Sequence, residues 1–273
     1  MIRMLCRLFR PRLVLMNGFV ALGGFLLYPA AADGMRLFET FWGVVFLAAG
    51  GSALNQVLEV DLDRQMTRTL LRPLPNGDLS LASATVIGSA CSLAGFVLLL
   101  ATGGPLPALL GLAALIWYLA VYTPLKRRTP LALIIGGVCG MLPPIIGWSM
   151  AGGNPADHRV MMLSAVMFLW QVPHFWLFQR RYASDYRRAG IPLLEVSAKG
   201  ARLHGLFGLW ICALIASVML LPAFGIIKGS MSLWYALFPL PLIAISLFSS
   251  ESALFSYLNI FPIMITIALF TQR

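Results

Sequence analysis

Long apolar runs alternate with short polar connectors along the whole chain. Runs of roughly 17–25 apolar residues have the length a helix needs to cross a bilayer. Nine such runs stand near residues 13–32, 37–57, 80–102, 105–122, 131–151, 160–178, 203–223, 231–249 and 251–270. The pattern predicts an all-α membrane protein with nine transmembrane helices bundled around a central cavity. Its domains are a basic tail over 1–12 and a single transmembrane domain over 13–270. Three polar loops, near 59–79, 123–130 and 179–202, fall at the same end of that bundle.

Composition sharpens the class. Of the 273 residues, 59% are hydrophobic and 11% charged, against about 25% charged in soluble domains. The four cysteines, Cys6, Cys91, Cys139 and Cys212, form no pair with metal or disulfide spacing. Span one with Ala30-Ala31-Ala32 resembles a signal peptide, but its run is longer than the usual h-region of about 7–15 residues. It is therefore expected to remain as a span.

The net charge of +10 is unevenly placed. With nine spans, only Arg36, Arg159, Lys228 and Arg273 fall on one side; the other sixteen Lys and Arg fall on the side of the N-terminal tail. Such asymmetry marks the cytoplasmic face, so the tail and the three loops are expected in the cytoplasm, at a bacterial inner membrane or its mitochondrial counterpart. It also assigns the basic charge to the bilayer rather than to nucleic acid.

Ten acids are few enough that their positions carry information. Asn55, Glu59 and Asp63 repeat every four residues and share one face if the segment is helical. Oxygen donors along two turns suit Mg2+, which takes one or two carboxylates and completes its shell with water and phosphate. Asp61 lies about 160° round the helix from Glu59, where it is solvated or paired with an arginine. Arg64, Arg68 and Arg72 continue the four-residue step, with Pro73 expected to end the helix. A metal stripe followed by guanidinium groups is suited to holding a diphosphate. The Pro124–Pro130 loop adds Lys126, placed for a terminal phosphate, and Arg127. Further on, Pro173 is expected to kink span six beside His174, and His174, Arg181 and Asp185 lie on one helical face with Trp170, Phe175 and Trp176 close by. An ionisable residue within a span marks a functional site by default.

Together these segments resemble the UbiA superfamily of membrane prenyltransferases, and within it the haem O branch. The resemblance rests on Arg10-Pro11-Arg12-Leu13-Val14, on Asn55–Arg72 with Pro73-Leu74, on Tyr122–Pro130, on Gly140–Trp148, on Phe168–Phe175 and on Asp185-Tyr186 through Pro192. It covers residues 10–195; the last three spans match in hydropathy only. Glu59 stands where many members carry Asp, the second acidic motif is reduced chiefly to Asp185, and Leu193-Leu194-Glu195 departs from the usual ending. The resemblance implies Mg2+-dependent transfer of farnesyl from farnesyl diphosphate to a vinyl group of haem B (protoheme IX), giving haem O. It implies a metal set of Asn55, Glu59, Asp63 and Asp185, with Lys126 joining the first three in catalysis. Arg64, Arg68, Arg72, Lys126 and Arg127 would bind diphosphate, and His174, Trp170, Arg180, Arg181, Asp185 and Tyr186 would contact haem. A downstream haem-processing or oxidase-assembly protein would receive the product. The alternative is a prenyltransferase acting on an aromatic quinone precursor such as 4-hydroxybenzoate. A transporter would place its charges near the midplane instead, and the D-x-x-D-G-x-x-A-R pattern of CDP-alcohol phosphotransferases is absent.

Overall fold

The structure is a computed structural model; it describes residues 2–29, 33–194, 205–228 and 230–272. Ala30–Ala32, Glu195 and Arg273, named above, lie outside the described residues, as do Lys199 and Arg202 of the basic side. Among those described, secondary structure is helical throughout. In chain order the helices are α1 (Ile2–Phe9), α2 (Pro11–Leu27), α3 (Gly34–Leu58), α4 (Val60–Asp63), α5 (Leu81–Gly103) and α6 (Pro105–Ile116). A π-helical segment (Trp117–Tyr122) leads into α7 (Thr123–Leu125), α8 (Ala132–Gly136), α9 (Val138–Met150), α10 (His158–Arg181) and α11 (Ala183–Arg188). The last four are α12 (Gly205–Leu220), α13 (Met231–Leu237), α14 (Pro239–Phe248) and α15 (Glu251–Phe270).

Apolar helical segments occupy all nine expected positions, but six of them are long and apolar enough to cross a membrane: α3, α5, Pro105–Leu125, Ala132–Met150, α10 and α15. The segments Pro11–Leu27, Gly205–Leu220 and Leu233–Phe248 are shorter. Several sequence signals set the ends. Asp33, Ser80, Asp157 and Ser250 each accept a backbone N–H as helix N-caps, satisfying donors the first turn leaves free. α10 runs as helix through Pro173.

Helices that pack in lipid gain little from burying apolar surface, so close backbone approach carries the association. A Cβ at Gly147 would drive into the Ala21 carbonyl, and one at Gly24 into the Pro144 carbonyl. The pair brings α2 and α9 into backbone contact. α2 also packs on α3, α10 and α15, and Thr266 of α15 hydrogen-bonds the Phe19 carbonyl at 3.0 Å. The bundle therefore closes between α2 and α15. At the basic end, α1 lies across α3: the Leu8 carbonyl accepts from Ser52 Oγ at 3.1 Å and from Gln56 Nε2 at 2.7 Å. Arg7 reaches the Leu71 carbonyl at 3.0 Å, tying α1 to the loop beyond α4.

Candidate active site

The metal stripe forms, but not on one helix. α3 stops at Leu58, where Glu59 leaves helical geometry (φ −121°), and α4 restarts at Val60. The register survives the break because Glu59 N–H still reaches the Asn55 carbonyl (3.0 Å) and Asp63 N–H the Glu59 carbonyl (2.8 Å). All three side chains are buried. Beyond Asp63 the chain turns rather than continuing as helix, so the expected arginine ladder is corrected. Arg64 caps α4 and is exposed, whereas Arg68 and Arg72 fold back onto the site. Pro73 ends no helix, since the helix has stopped ten residues earlier.

Each buried carboxylate has a cation. Arg72 Nη1 donates to both Asp63 oxygens at 2.8 and 2.6 Å. Lys126 Nζ lies 2.6 Å from each Glu59 oxygen, yet only Oε2 receives an aligned hydrogen bond and Oε1 has no hydrogen-bond partner. Asn55 Nδ2 donates to that same Oε2 at 2.8 Å, which orients its amide. The Thr123 hydroxyl sits 2.9 Å from Asn55 Oδ1 and 2.7 Å from the Tyr118 carbonyl. Burial depresses the Lys126 ammonium below its ordinary range, and the Glu59 carboxylate counters only part of that. Burial and then the nearby Arg10 charge lower Arg72, with Asp63 opposing.

These groups line a polar pocket of about 250 Å³ together with Arg10, Arg68, Tyr118, Tyr122, Phe178 and Tyr186. Four cations (Arg10, Arg68, Arg72, Lys126) face two carboxylates (Glu59, Asp63), so the pocket carries an excess of two positive charges. Beneath it lies an apolar cavity of about 190 Å³, whose wall includes Trp170 and His174. Tyr118 and Phe175 border both spaces.

Three polar lining residues, Arg10, Tyr118 and Tyr122, were given no site role by the sequence. Arg10 joins α1 to α2 in the left-handed region (φ 53°), the only non-glycine residue there among those described. Such a conformation is costly for a side chain with a Cβ and is held by its surroundings. Its buried Nε has no hydrogen-bond partner. Tyr118 and Tyr122 sit in the π-helical segment, a feature frequent at functional sites, with rings 6.0 Å apart and nearly parallel. Their four-residue spacing was the available signal.

The expected roles divide. Arg127 forks onto Asp61 at 2.7 and 2.9 Å, holding that carboxyl below its usual range, and stands outside the pocket wall. Asp185 is not with the metal stripe. Its oxygens accept the backbone N–H groups of Thr67 (3.1 Å) and Arg68 (3.0 Å). Burial raises its pKa, but these hydrogen bonds outweigh burial and leave it low. Asp185 thereby fixes the turn carrying Arg68, whose guanidinium lies 5.0 Å over Phe178 and 5.3 Å over Tyr182. Tyr186 faces the polar pocket. Arg180 pairs with Glu251 at 2.9 Å, and Arg181 lies 5.7 Å over Phe255. His174 is sandwiched between Trp170 (5.0 Å, 19°) and Phe255 (5.3 Å, 9°), its buried Nδ1 without a partner.

Among the described residues no three His, Cys, Asp or Glu side chains form a cage for a metal ion. Two carboxylates and an amide fit instead a Mg2+ whose shell is completed by water and a phosphate ligand, with Glu59 Oε1 beside the Lys126 ammonium but without an aligned hydrogen bond.

The UbiA prenyltransferase family model matches residues 17–257. A protoheme IX farnesyltransferase of Geobacter sulfurreducens is 59% identical, covering 96% of each chain. Another protoheme IX farnesyltransferase, from Oleidesulfovibrio alaskensis, is 40% identical over 82% of this chain and 79% of its own. Among solved structures, a UbiA homolog from Aeropyrum pernix K1 superposes with TM-score 0.76 at 24% identity, covering 96% and 98% of the two chains. An Archaeoglobus fulgidus UbiA homolog bound to DMAPP and Mg2+ superposes with TM-score 0.68 at 15% identity, covering 98% of each. In fold, in matched length and in the relatives it resembles, the chain belongs to the UbiA prenyltransferase family.

Proposed function

We propose that the protein transfers a farnesyl group from farnesyl diphosphate to a vinyl group of haem B, with Mg2+, to give haem O. The observation that carries the donor half is the shared wall at Tyr118 and Phe175, where a cationic pocket adjoins an apolar cavity. An allylic diphosphate has that same polarity: a charged head on a hydrocarbon tail. The acceptor half is supported by the 59% identity to the Geobacter sulfurreducens protoheme IX farnesyltransferase.

Asn55, Glu59 and Asp63 would hold Mg2+, which neutralises and orients the phosphate oxygens. Arg10, Arg68, Arg72 and Lys126 receive the diphosphate as the allylic C–O bond breaks and negative charge gathers on the leaving group. The apolar cavity holds the tail and keeps water from the carbocation. The vinyl carbon forms the new C–C bond, and water then supplies the hydroxyl of the hydroxyethyl group and releases a proton. His174 and Trp170 offer an aromatic edge to the porphyrin at the cavity wall. Arg180 and Arg181, at the end of the same helix, would pair with its propionates.

The reading includes nine membrane passages in one transferase domain. Loops 59–79 and 123–130 and the described part of the third loop, 179–194, stand at the mouth, and that end faces the cytoplasm, where lysine and arginine concentrate. The apolar product would pass to a haem-processing protein within the bilayer.

The test is purified protein with Mg2+, farnesyl diphosphate and either haem B or 4-hydroxybenzoate, read by mass spectrometry and pyrophosphate release. Prenylated haem is expected, and lost in Asp63→Ala. Product from 4-hydroxybenzoate alone would overturn the acceptor.

A further inference from the structure

We infer that the floor of the apolar cavity fixes the prenyl chain at three isoprene units, with Ile146, Met167, Val44 and Val20 as the stop. The inference rests on the proposed function and adds what sets its donor length.

The cavity has a defined mouth and a defined end. The mouth is at Phe175 and Tyr118, which also border the diphosphate pocket. The end is at Met167 on α10 and Gly111 on the α6 side. Eight residues separate Phe175 from Met167, about 12 Å of helix, and seven separate Tyr118 from Gly111, about 10 Å. A fully extended chain advances about 3.3–3.6 Å per three bonds. An isoprene unit adds four chain bonds, about 4.5 Å on that geometry. Two units therefore span about 9 Å, three about 13 Å and four about 18 Å. Against a depth of about 10–12 Å, two units stop about 1–3 Å short of the floor, three exceed it by about 1–3 Å and fit with a bend, and four overshoot by about 6–8 Å, more than one unit.

The floor is also rigid. Ile146 and Met167 are 2% and 1% exposed, and Val44 and Val20 are buried beside them. Below, Phe25, Leu99, Ala108 and Met150 are packed into a buried cluster. Immediately beyond Val20 and Ile146, the backbones of Ala21 and Gly147 abut. Helices already in backbone contact cannot separate to admit another isoprene unit without unpacking α2 from α9. A close-packed interior resists such insertion.

The experiment offers geranyl, farnesyl and geranylgeranyl diphosphates in competition to the full-length protein with Mg2+ and haem B, and measures product masses. A product ratio is unaffected by the fraction of a variant that folds. Farnesyl product is expected to dominate in the wild type. One methylene in an apolar pocket is worth about 10–200-fold in discrimination. Met167→Ala and Ile146→Ala are therefore expected to raise the twenty-carbon to fifteen-carbon ratio at least about tenfold. Ile146→Val, a one-methyl change that keeps the packing, should move the ratio the same way by less. Val20→Phe should favour the ten-carbon donor. Wild type using the twenty-carbon donor as readily as farnesyl, or a ratio unmoved in both Met167→Ala and Ile146→Val, overturns the inference alone. No turnover of any donor by the wild type overturns the proposed function and this inference with it.

Discussion

Replacing Asp185 by alanine separates two roles for the same carboxylate. As a metal ligand it would be needed for Mg2+; in the structure it instead holds the turn that carries Arg68. Removing it strips the acceptor from the Thr67 and Arg68 N–H groups. A hydrogen bond to a charged acceptor is worth about 1.5–3 kcal/mol. Thr67 and Arg188 are exposed beside it, so water can replace part of what is lost, and a net loss near one such bond, about 2 kcal/mol, is expected. Expressed through Arg68, that is a rise of roughly 30-fold in KM for farnesyl diphosphate, at 1.4 kcal/mol per factor of ten. The assay is steady-state turnover over a grid of diphosphate and Mg2+ concentrations. KM for the diphosphate should rise at saturating Mg2+ while the Mg2+ midpoint stays in place, and Asp185→Asn, which keeps one acceptor oxygen, should fall between. A Mg2+ midpoint that moves with wild-type KM restored at high Mg2+ would refute the positioning role.

Lys126 should give the pH profile an alkaline limb. Its depressed pKa means the ammonium is lost below its ordinary value of 10.5, so kcat/KM should fall as pH rises through that lowered value, and Lys126→Met should remove the limb along with most activity. Stability should run the opposite way: the unfolded chain binds the proton more tightly, so this group's contribution rises with pH across the same window. Gly147→Ala presses on the Ala21 carbonyl and should cost about 3 kcal/mol or more, seen as a lower thermal midpoint in detergent; an unchanged midpoint would show that the helices separate freely. At the opposite end, Arg159 holds Asp157 down to about 2, so its stabilisation is complete above the ordinary carboxylate range and disappears as pH falls through about 2. Asp157→Ala also removes the N-cap of α10 and should cost about 1 kcal/mol with turnover unchanged.

Runs of apolar residues located the six helices long enough to cross a membrane and the three shorter apolar segments, because in a bilayer length and hydropathy decide where a helix forms. The four-residue spacing of Asn55, Glu59 and Asp63 was legible for a related reason: i→i+4 register persists across the break at Glu59. The arginines beyond it were not, since a chain leaving a helix takes its path from tertiary contacts such as Asp185 to Arg68. Arg10 was hidden for the same cause. Nothing local announces a left-handed arginine; α1 packing on Ser52 and Gln56 imposes it. Asp185, which the family resemblance implies as a metal ligand, makes its hydrogen bond to a partner 117 residues away in sequence.

Closure of the bundle between α2 and α15 has a consequence for how the chain is made. The hydrogen bond from Thr266 to the Phe19 carbonyl joins residues 247 apart in sequence, and α9, the other close neighbour of α2, is also synthesised long after it. During translation α2 therefore waits with α3 as its main partner while most of the protein is still unmade. Assembly of this enzyme is a late, whole-chain event, and a ribosome that stalls before α15 leaves behind an open bundle with an unshielded seam along its oldest helix.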